Sequence, residues 1–272
     1  MSLKDILVHV DATPASRTRL RLGLALARRF SARLSGLHVI PKPHVPRYFK
    51  PSLVGRVAKD YAKNAKVAAD QAEVLFKEET KGADAAAAWE CVAGDMDEMI
   101  AECARLADLL MLGQPRISLF LLPEKVMFGA ATPILVIPNT GMFSDVGRHP
   151  LVTWDGSREA SRAIRDAMPL LEAAERVSLI AIDPLRQGHM HEGAHASALV
   201  AYLGHHGVRA ETVEVSSEGN GVANKLLECA SVLGADLLVM GAYTHSRVWE
   251  FLVGGTTQDL LERTKIPVLM SR

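Results

Sequence analysis

Three segments of this chain occur twice, in the same order. The apolar stretch ILVHVDATPASR at residues 6–17 returns as LVTWDGSREASR at 151–162, with Asp11 matching Asp155. ADLLMLG at 107–113 returns as ADLLVMG at 235–241, and TPILVIP at 132–138 returns as IPVLMSR at 266–272. Repetition in a fixed order indicates a duplicated unit, so we expect the chain to build one supersecondary arrangement twice.

Each copy alternates short apolar runs with helical patterns, which is typical of a parallel sheet covered by helices on both faces. We therefore predict an α/β fold of two tandem domains, 1–143 and 144–272, with the boundary in the stretch 143–148. In the first copy, the predicted strands span residues 5–10, 33–40, 87–92, 109–112 and 134–137. A helix is predicted over 53–80, where apolar residues recur at the helical period.

The first helix of each copy has a recognisable start, directly after a strand that ends in Asp. Thr13 is the predicted cap in the first copy, with Pro14 at the first helical position, and Ser157 is its counterpart. Open parallel sheets bind ligands at the carboxyl ends of their strands. Asp11 and Asp155 are therefore expected to lie at that edge.

The composition disfavours nucleic-acid-binding, membrane and disulfide-rich proteins. Thirty-one Lys and Arg residues balance thirty-one Asp and Glu residues, which disfavours nucleic-acid and membrane-surface binding. Neither a signal peptide nor a membrane-spanning run is visible, so we predict a cytoplasmic protein. Cys91, Cys103 and Cys229 are odd in number and widely spaced, which favours buried, reduced thiols over a disulfide framework.

The most informative segment for function spans residues 240–264. After an apolar strand and a loop, Gly254, Gly255, Thr256 and Thr257 lead into a helical pattern. Adjacent glycines at a helix start expose backbone N–H groups at the positive end of a helix dipole, which suits a phosphate. The alternative is a plain turn in which Thr256 or Thr257 caps the helix.

This segment, together with the duplication, resembles the universal stress protein family. Nucleotide-binding members of that family carry Gly-x2-Gly-x9-Gly-Ser/Thr after the fourth strand. Gly241 takes the first glycine position and Gly254 the third, whereas Thr244 stands at the second and Gly255 at the hydroxyl position, with Thr256 one place later. The resemblance covers essentially the whole chain. It implies two Rossmann-like domains, related to adenine nucleotide α-hydrolases, each a five-stranded sheet in the order 3-2-1-4-5.

The resemblance also implies a ligand and an assembly. The ligand is ATP, with or without Mg²⁺, bound in the second copy as a sensor or regulatory ligand. Asp155 is then expected beside the ribose or the metal, and the backbone at Ile182 beside adenine. The two copies are expected to form an internal pseudo-dimer through their fifth strands, 134–137 and 268–270. A protein partner and a homodimer are further expectations.

Other readings stay open at this point. The first copy lacks the glycine motif, so a nucleotide-free scaffold that acts through protein contacts is one alternative. A slow ATPase is another, although phosphate-loop, dinucleotide and nucleophile-elbow signatures are absent from the sequence. His189, His191 and His195 are candidate metal ligands without a strong zinc signature.

Overall fold

Strands and helices alternate along the computed structural model, which describes residues 2–42, 51–115, 122–182, 196–215, 221–242 and 256–272. The first half contains β1 (Asp5–His9), α1 (Pro14–Phe30), β2 (Arg33–Pro41), α2 (Pro51–Thr80), β3 (Ala87–Gly94), α3 (Met96–Ala104), β4 (Leu109–Gly113), α4 (Leu122–Gly129) and β5 (Ile134–Ile137). The second half contains β6 (Pro150–Thr153), α5 (Arg158–Glu172), β7 (Val177–Ile182), α6 (Ala196–His205), β8 (Ala210–Val215), α7 (Val222–Leu233), β9 (Leu237–Gly241), α8 (Thr256–Arg263) and β10 (Val268–Ser271).

All of these strands lie in one 10-stranded sheet, in the order β3-β2-β1-β4-β5-β10-β9-β6-β7-β8. Within each half the neighbouring strands are parallel. Each half therefore has the order third, second, first, fourth, fifth. The predicted α/β fold with two tandem domains is confirmed, while the limits 1–143 and 144–272 stay a prediction.

The two halves meet where β5 pairs with β10. This pair is antiparallel, with Val136 opposite Val268, Leu135 opposite Leu269 and Ile134 opposite Met270. All six side chains are buried. The expected junction through the fifth strands is thus observed, and it relates the halves by an approximate two-fold arrangement.

Helices cover both faces of the sheet because the strands are apolar on both sides. One core lies between the sheet and α1, α2, α5 and α6, and the other lies between the sheet and α3, α4, α7 and α8. Each core contains residues from both halves. The halves therefore share two hydrophobic layers as well as a strand seam.

The duplication extends to individual hydrogen bonds at the amino ends of the strands. In the first half, Asp108 Oδ2 accepts the backbone N–H groups of Lys4 and Asp5 at 2.7 and 3.0 Å. In the second half, the Asp236 carboxylate accepts the N–H groups of Arg148 and His149 at 2.8 and 2.9 Å. A carboxylate just before the fourth strand thus anchors the start of the first strand in both copies.

The two helix starts differ in a way that the sequence did not predict. Ser157 caps α5 as expected, since its hydroxyl oxygen accepts the Ala160 N–H at 3.0 Å. Thr13 stands at the cap position of α1, but its side chain makes no capping bond. The predicted cap position is therefore confirmed, but the capping hydrogen bond is absent, and the Thr13 hydroxyl donates to the Asp11 carboxylate.

The thiol prediction also needs correction. Cys229 is buried and Cys103 is half-buried, but Cys91 is exposed, although all three are free. Cys91 lies on β3, an edge strand of the sheet. An edge strand has a neighbour on one side only, which leaves its side chains less covered.

Within the described ranges, none of the helices combines the length and apolar composition that a membrane crossing requires.

Candidate functional site

In the first half, the carboxyl edge of the sheet holds a hydrogen-bonded cluster around Asp11, which lies just beyond β1. Asp11 Oδ1 accepts the Thr13 N–H at 2.9 Å, the Ser16 hydroxyl at 2.8 Å and the Thr13 hydroxyl. Asp11 Oδ2 lies 2.9 Å from a guanidinium nitrogen of Arg19. The first half therefore satisfies both carboxylate oxygens with its own groups.

Arg19 fills the space between α1 and the end of β4. Its side chain is 2% exposed, and its Nε donates to the His9 carbonyl at 3.2 Å. A β-carbon built on Gly113 would overlap Arg19 Nη1. The guanidinium thus lies directly against the last residue of β4, where the crevice would otherwise open.

The charges of this cluster are fixed by its surroundings. Burial opposes ionisation of Asp11, but Arg19 and the hydrogen bonds from Thr13 and Ser16 outweigh it and hold the pKa of the carboxyl well below its usual range. Burial, assisted by the Arg19 charge, lowers the pKa of His9 from 6.5 to about 4. At neutral pH, a charged Asp11–Arg19 pair lies beside a neutral His9.

The second half replaces this cluster with small side chains. Ala160 and Ala163 of α5 take the positions that Ser16 and Arg19 hold in α1, and both are buried. Asp155 lies just beyond β6 and is partly exposed, and its Oδ1 accepts the Ser157 N–H at 2.9 Å. Across the described ranges, no Lys or Arg pairs with Asp155 as Arg19 pairs with Asp11. Within the described residues, its carboxylate therefore keeps acceptor capacity.

Gly241, at the end of β9, allows α5 to approach the sheet closely. A β-carbon on Gly241 would lie 2.5 Å from the backbone nitrogen of Ala160. Real β-carbons do not approach backbone atoms so closely, so any larger residue must displace the first turn of α5. This packing role was not part of the sequence argument, which placed Gly241 at the ligand.

Ser271 is a residue of this edge that the sequence argument missed. It pairs with Gly241 across β9 and β10 and is 3% exposed. Its hydroxyl oxygen is buried and has no hydrogen-bond partner among the described residues. Unpartnered buried hydroxyls are rare. The matching residue of the first half is Ile137, at the end of β5. Comparing the two copies of the repeat could therefore have identified Ser271 from the sequence.

The predicted ligand residues converge as far as the structure describes them. Asp155 follows β6, which lies between β7, ending at Ile182, and β9, ending at Gly241. Three neighbouring strand ends therefore bring these residues to one edge. Thr256 and Thr257 are the first residues of α8, while Gly254, Gly255 and Thr244 lie outside the described residues.

A metal site made of protein side chains alone finds no support in the described ranges. There, His, Cys, Asp and Glu residues form no group of three or more that could hold an ion. The histidines considered from the sequence, His189, His191 and His195, lie outside the described residues, so that alternative stays a prediction.

The fold and the strand ends together define a duplicated, doubly wound α/β protein in which, among the described residues, Arg19 fills the strand end of the first half and Ala163 stands at the matching position of the second half. The chain belongs to the Universal stress protein family, whose sequence model matches residues 2–137 and again 148–272. Over 37 residues the chain is 51% identical to universal stress protein Slr1230 of Synechocystis sp., a match that covers 14% of this chain and 13% of that relative.

Solved structures agree on the fold. A universal stress protein from Archaeoglobus fulgidus is 16% identical and superposes with a TM-score of 0.69, covering 100% of this chain and 97% of that one. A universal stress protein solved in complex with cAMP is 17% identical, with a TM-score of 0.34, and covers 52% of this chain and 100% of that one. The likeness to the Archaeoglobus fulgidus structure shows the fold alone.

Proposed function

We propose that this universal stress protein binds an adenine nucleotide, ATP with or without Mg²⁺, in its second half, as a sensor or regulatory ligand in a cytoplasmic stress response. The contrast between the two crevices carries the proposal. Asp11 is neutralised by the buried Arg19, whereas Asp155 has Ala160 and Ala163 at the corresponding helix positions and keeps its charge available.

Each proposed site residue has a separate task. Asp155 accepts hydrogen bonds from ribose hydroxyls or ligates Mg²⁺, which prefers carboxylate oxygens and would neutralise phosphate charge. Backbone groups at Ile182 bond to adenine. The amides of Gly254, Gly255, Thr256 and Thr257 bind phosphate oxygens, helped by the positive end of the α8 dipole. Gly241 keeps α5 against β9, which holds the Asp155 turn in place.

The proposal assigns different roles to the domains 1–143 and 144–272. The second binds the ligand, and the first completes the sheet and both cores. A protein partner then reads the ligand state. Because β5 and β10 already pair within one chain, the two domains stay together without depending on chain concentration.

Isothermal titration calorimetry with Mg-ATP tests the proposal, using Asp155→Asn and Asp11→Asn as a matched pair. Asp155→Asn removes a charged acceptor, so we expect affinity to fall roughly 10- to 100-fold. Asp11→Asn changes the same residue type in the filled crevice and is expected to leave affinity unchanged. Gly254→Val, which crowds the phosphate amides, is expected to abolish the heat of binding. Circular dichroism verifies that each variant is folded.

Other outcomes favour the alternatives. Absence of heat from the wild-type protein at millimolar Mg-ATP overturns the proposal and favours the nucleotide-free scaffold, a reading that the sequence departures at Thr244 and Gly255 support. Phosphate release above that of Gly254→Val favours a slow ATPase. Equal losses of affinity in Asp155→Asn and Asp11→Asn contradict the assignment to the second half.

A further inference from the structure

Gln114, immediately after β4, connects the first half to a helix of the second half. Its side-chain Nε2 donates to the carbonyl oxygens of Leu261, Glu262 and Thr264 at 2.7, 2.9 and 3.2 Å. These carbonyls belong to the last turn of α8 and the residue beyond it. The corresponding residue of the second half, after Gly241, is Ala242, which cannot make such bonds.

The backbone around these two residues is the same in both halves, so the side chain makes the difference. The Gln114 N–H donates to Ile137 and the Ala242 N–H donates to Ser271, both at 2.8 Å, continuing the sheet by one residue. The strand ends of the two halves therefore have the same backbone arrangement. In the first half, the side chain at this position reaches the other half. This position leads into the glycine motif in the second half.

Asn139 fixes the orientation of the Gln114 amide. The Asn139 N–H donates to Gln114 Oε1 at 3.0 Å, and Asn139 Nδ2 donates to the Gln114 backbone carbonyl at 2.9 Å. Because Oε1 accepts a backbone N–H, the NH₂ group must face the α8 carbonyls. The amide thus has one satisfactory orientation.

Gln114 satisfies carbonyl groups at the end of a short helix, α8. It spans eight residues, Thr256–Arg263, and the last carbonyls of any helix lack partners within the helix. Gln114 supplies donors to them, while Leu260 and Leu261 are buried against the second core. The same helix begins with Thr256 and Thr257, which belong to the proposed phosphate site.

We propose that Gln114 is a positioning residue through which the first half sets the orientation of α8, and thereby the affinity of the second half for its ligand. The effect on affinity rests on the proposed nucleotide function, but the anchoring of α8 does not. The first half is then a regulator of the ligand site as well as a structural partner. In this proposal, a displacement of the strands at the β5–β10 seam reaches α8 through the Gln114 side chain.

Gln114→Glu is the sharpest variant, because it keeps the size of the side chain and one acceptor oxygen but places a carboxylate against carbonyl oxygens. Arg29→Ala is the matched control, since Arg29 joins the halves by donating to the Val146 and Ala173 carbonyls without touching α8. Gln114→Ala is the second variant, should the carboxylate prevent folding. Two readouts are measured: hydrogen exchange of the α8 amides in ligand-free protein, and the dissociation constant for Mg-ATP.

We expect amides 260–264 to exchange about tenfold faster in Gln114→Glu and Mg-ATP to bind about tenfold more weakly, with both readouts unchanged in Arg29→Ala. If Gln114 only holds the halves together, Gln114→Glu and Arg29→Ala will change the hydrogen exchange and the dissociation constant to the same extent. That result overturns the proposal. Unchanged α8 exchange in both Gln114 variants also overturns it. If wild type binds no nucleotide while Gln114→Glu still loosens α8, the proposed function and the affinity effect fail, and the anchoring of α8 stands.

Discussion

Arg19 and Ala163 hold equivalent places in α1 and α5, and this difference, together with that between Ser16 and Ala160, distinguishes the two strand ends. Arg19 is almost fully buried and paired with Asp11, so it neutralises the carboxylate and fills the strand end at once. Ala163 does neither, so within the part of the chain that the structure describes Asp155 has no arginine beside it. The proposed difference in function between the halves therefore rests on these side chains.

Arg19→Ala is expected to destabilise the protein by about 2–3 kcal/mol. It leaves Asp11 without its cation, a loss reduced because the Asp11 side chain is 35% exposed, and it opens a cavity beside Gly113. Arg17→Ala is the control. Arg17 pairs with Glu78 and Glu79 but is 44% exposed, so its loss should cost under about 1 kcal/mol. Urea unfolding at pH 7 measures both, and equal losses would contradict the burial argument.

His9 predicts a pH dependence of stability. In the unfolded chain His9 binds a proton with its ordinary pKa of 6.5, but in the folded protein its pKa is about 4. Between these values the unfolded state holds more protons, so the free energy of unfolding falls as pH falls from about 6.5 to 4, by about 3 kcal/mol at most. The lowered pKa of Asp11 affects the free energy of unfolding mainly below the unfolded carboxyl pKa of about 3.9, which is outside this pH range.

Urea unfolding at pH 7.0, 5.5 and 4.5 checks this expectation. His9→Asn should reduce the loss of stability on acidification, whereas His205→Asn, which changes an exposed histidine, should not. Some slope is expected to remain because burial also lowers the pKa of His149. An unchanged slope in His9→Asn would show that His9 is not held neutral.

Among single residues, those that recur in both copies of the repeat could be predicted from the sequence. Residues whose role depends on contacts distant in the chain could not. Asp11 and Asp155 were found because strand-ending acids recur in register. Arg19 was missed because arginines are usually exposed. Gln114 was missed because its partners lie 147 to 150 residues further along the chain. No local pattern specifies such a contact.

At the scale of elements, the packing of α5 on β9 limits what Gly241 can become. Gly241→Ala places a β-carbon against the Ala160 backbone, and such overpacking should cost roughly 1–3 kcal/mol. Gly204 is the control: it lies in α6 with open space around a built β-carbon. Gly204→Ala should therefore stabilise the protein by about 0.5–1 kcal/mol. Thermal unfolding distinguishes the two, and a neutral Gly241→Ala would contradict the close approach.

The elements themselves were largely predictable, because apolar runs and helical periodicity are local. The predicted strand 134–137 and the predicted helix 53–80 agree with β5 and α2 to within two residues. The cap position of Thr13 was predicted correctly, but its hydroxyl donates to a carboxylate two residues earlier, a contact that the cap pattern does not predict. Exposure of Cys91 depends on which strand lies at the sheet edge, which periodicity does not reveal.

At the scale of the molecule, the antiparallel seam makes two parallel sheets into one. The repeat predicts two similar units, and the family resemblance predicts their junction through the fifth strands, which the β5–β10 pair shows. The glycine motif stands in the second copy and is lacking in the first, which predicts that a ligand binds in the second half. The described residues show that the matching strand ends differ in their side chains, while the glycines of the motif, Gly254 and Gly255, lie outside the described residues.

Native mass spectrometry with Mg-ATP tests the central claim most directly, because it counts ligands per chain. The account predicts one nucleotide on each wild-type chain, retained in Arg17→Ala and lost in Asp155→Asn. Two nucleotides per chain would show that Arg19 does not close the first crevice. No bound nucleotide, or one that Asp155→Asn leaves in place, would contradict the account.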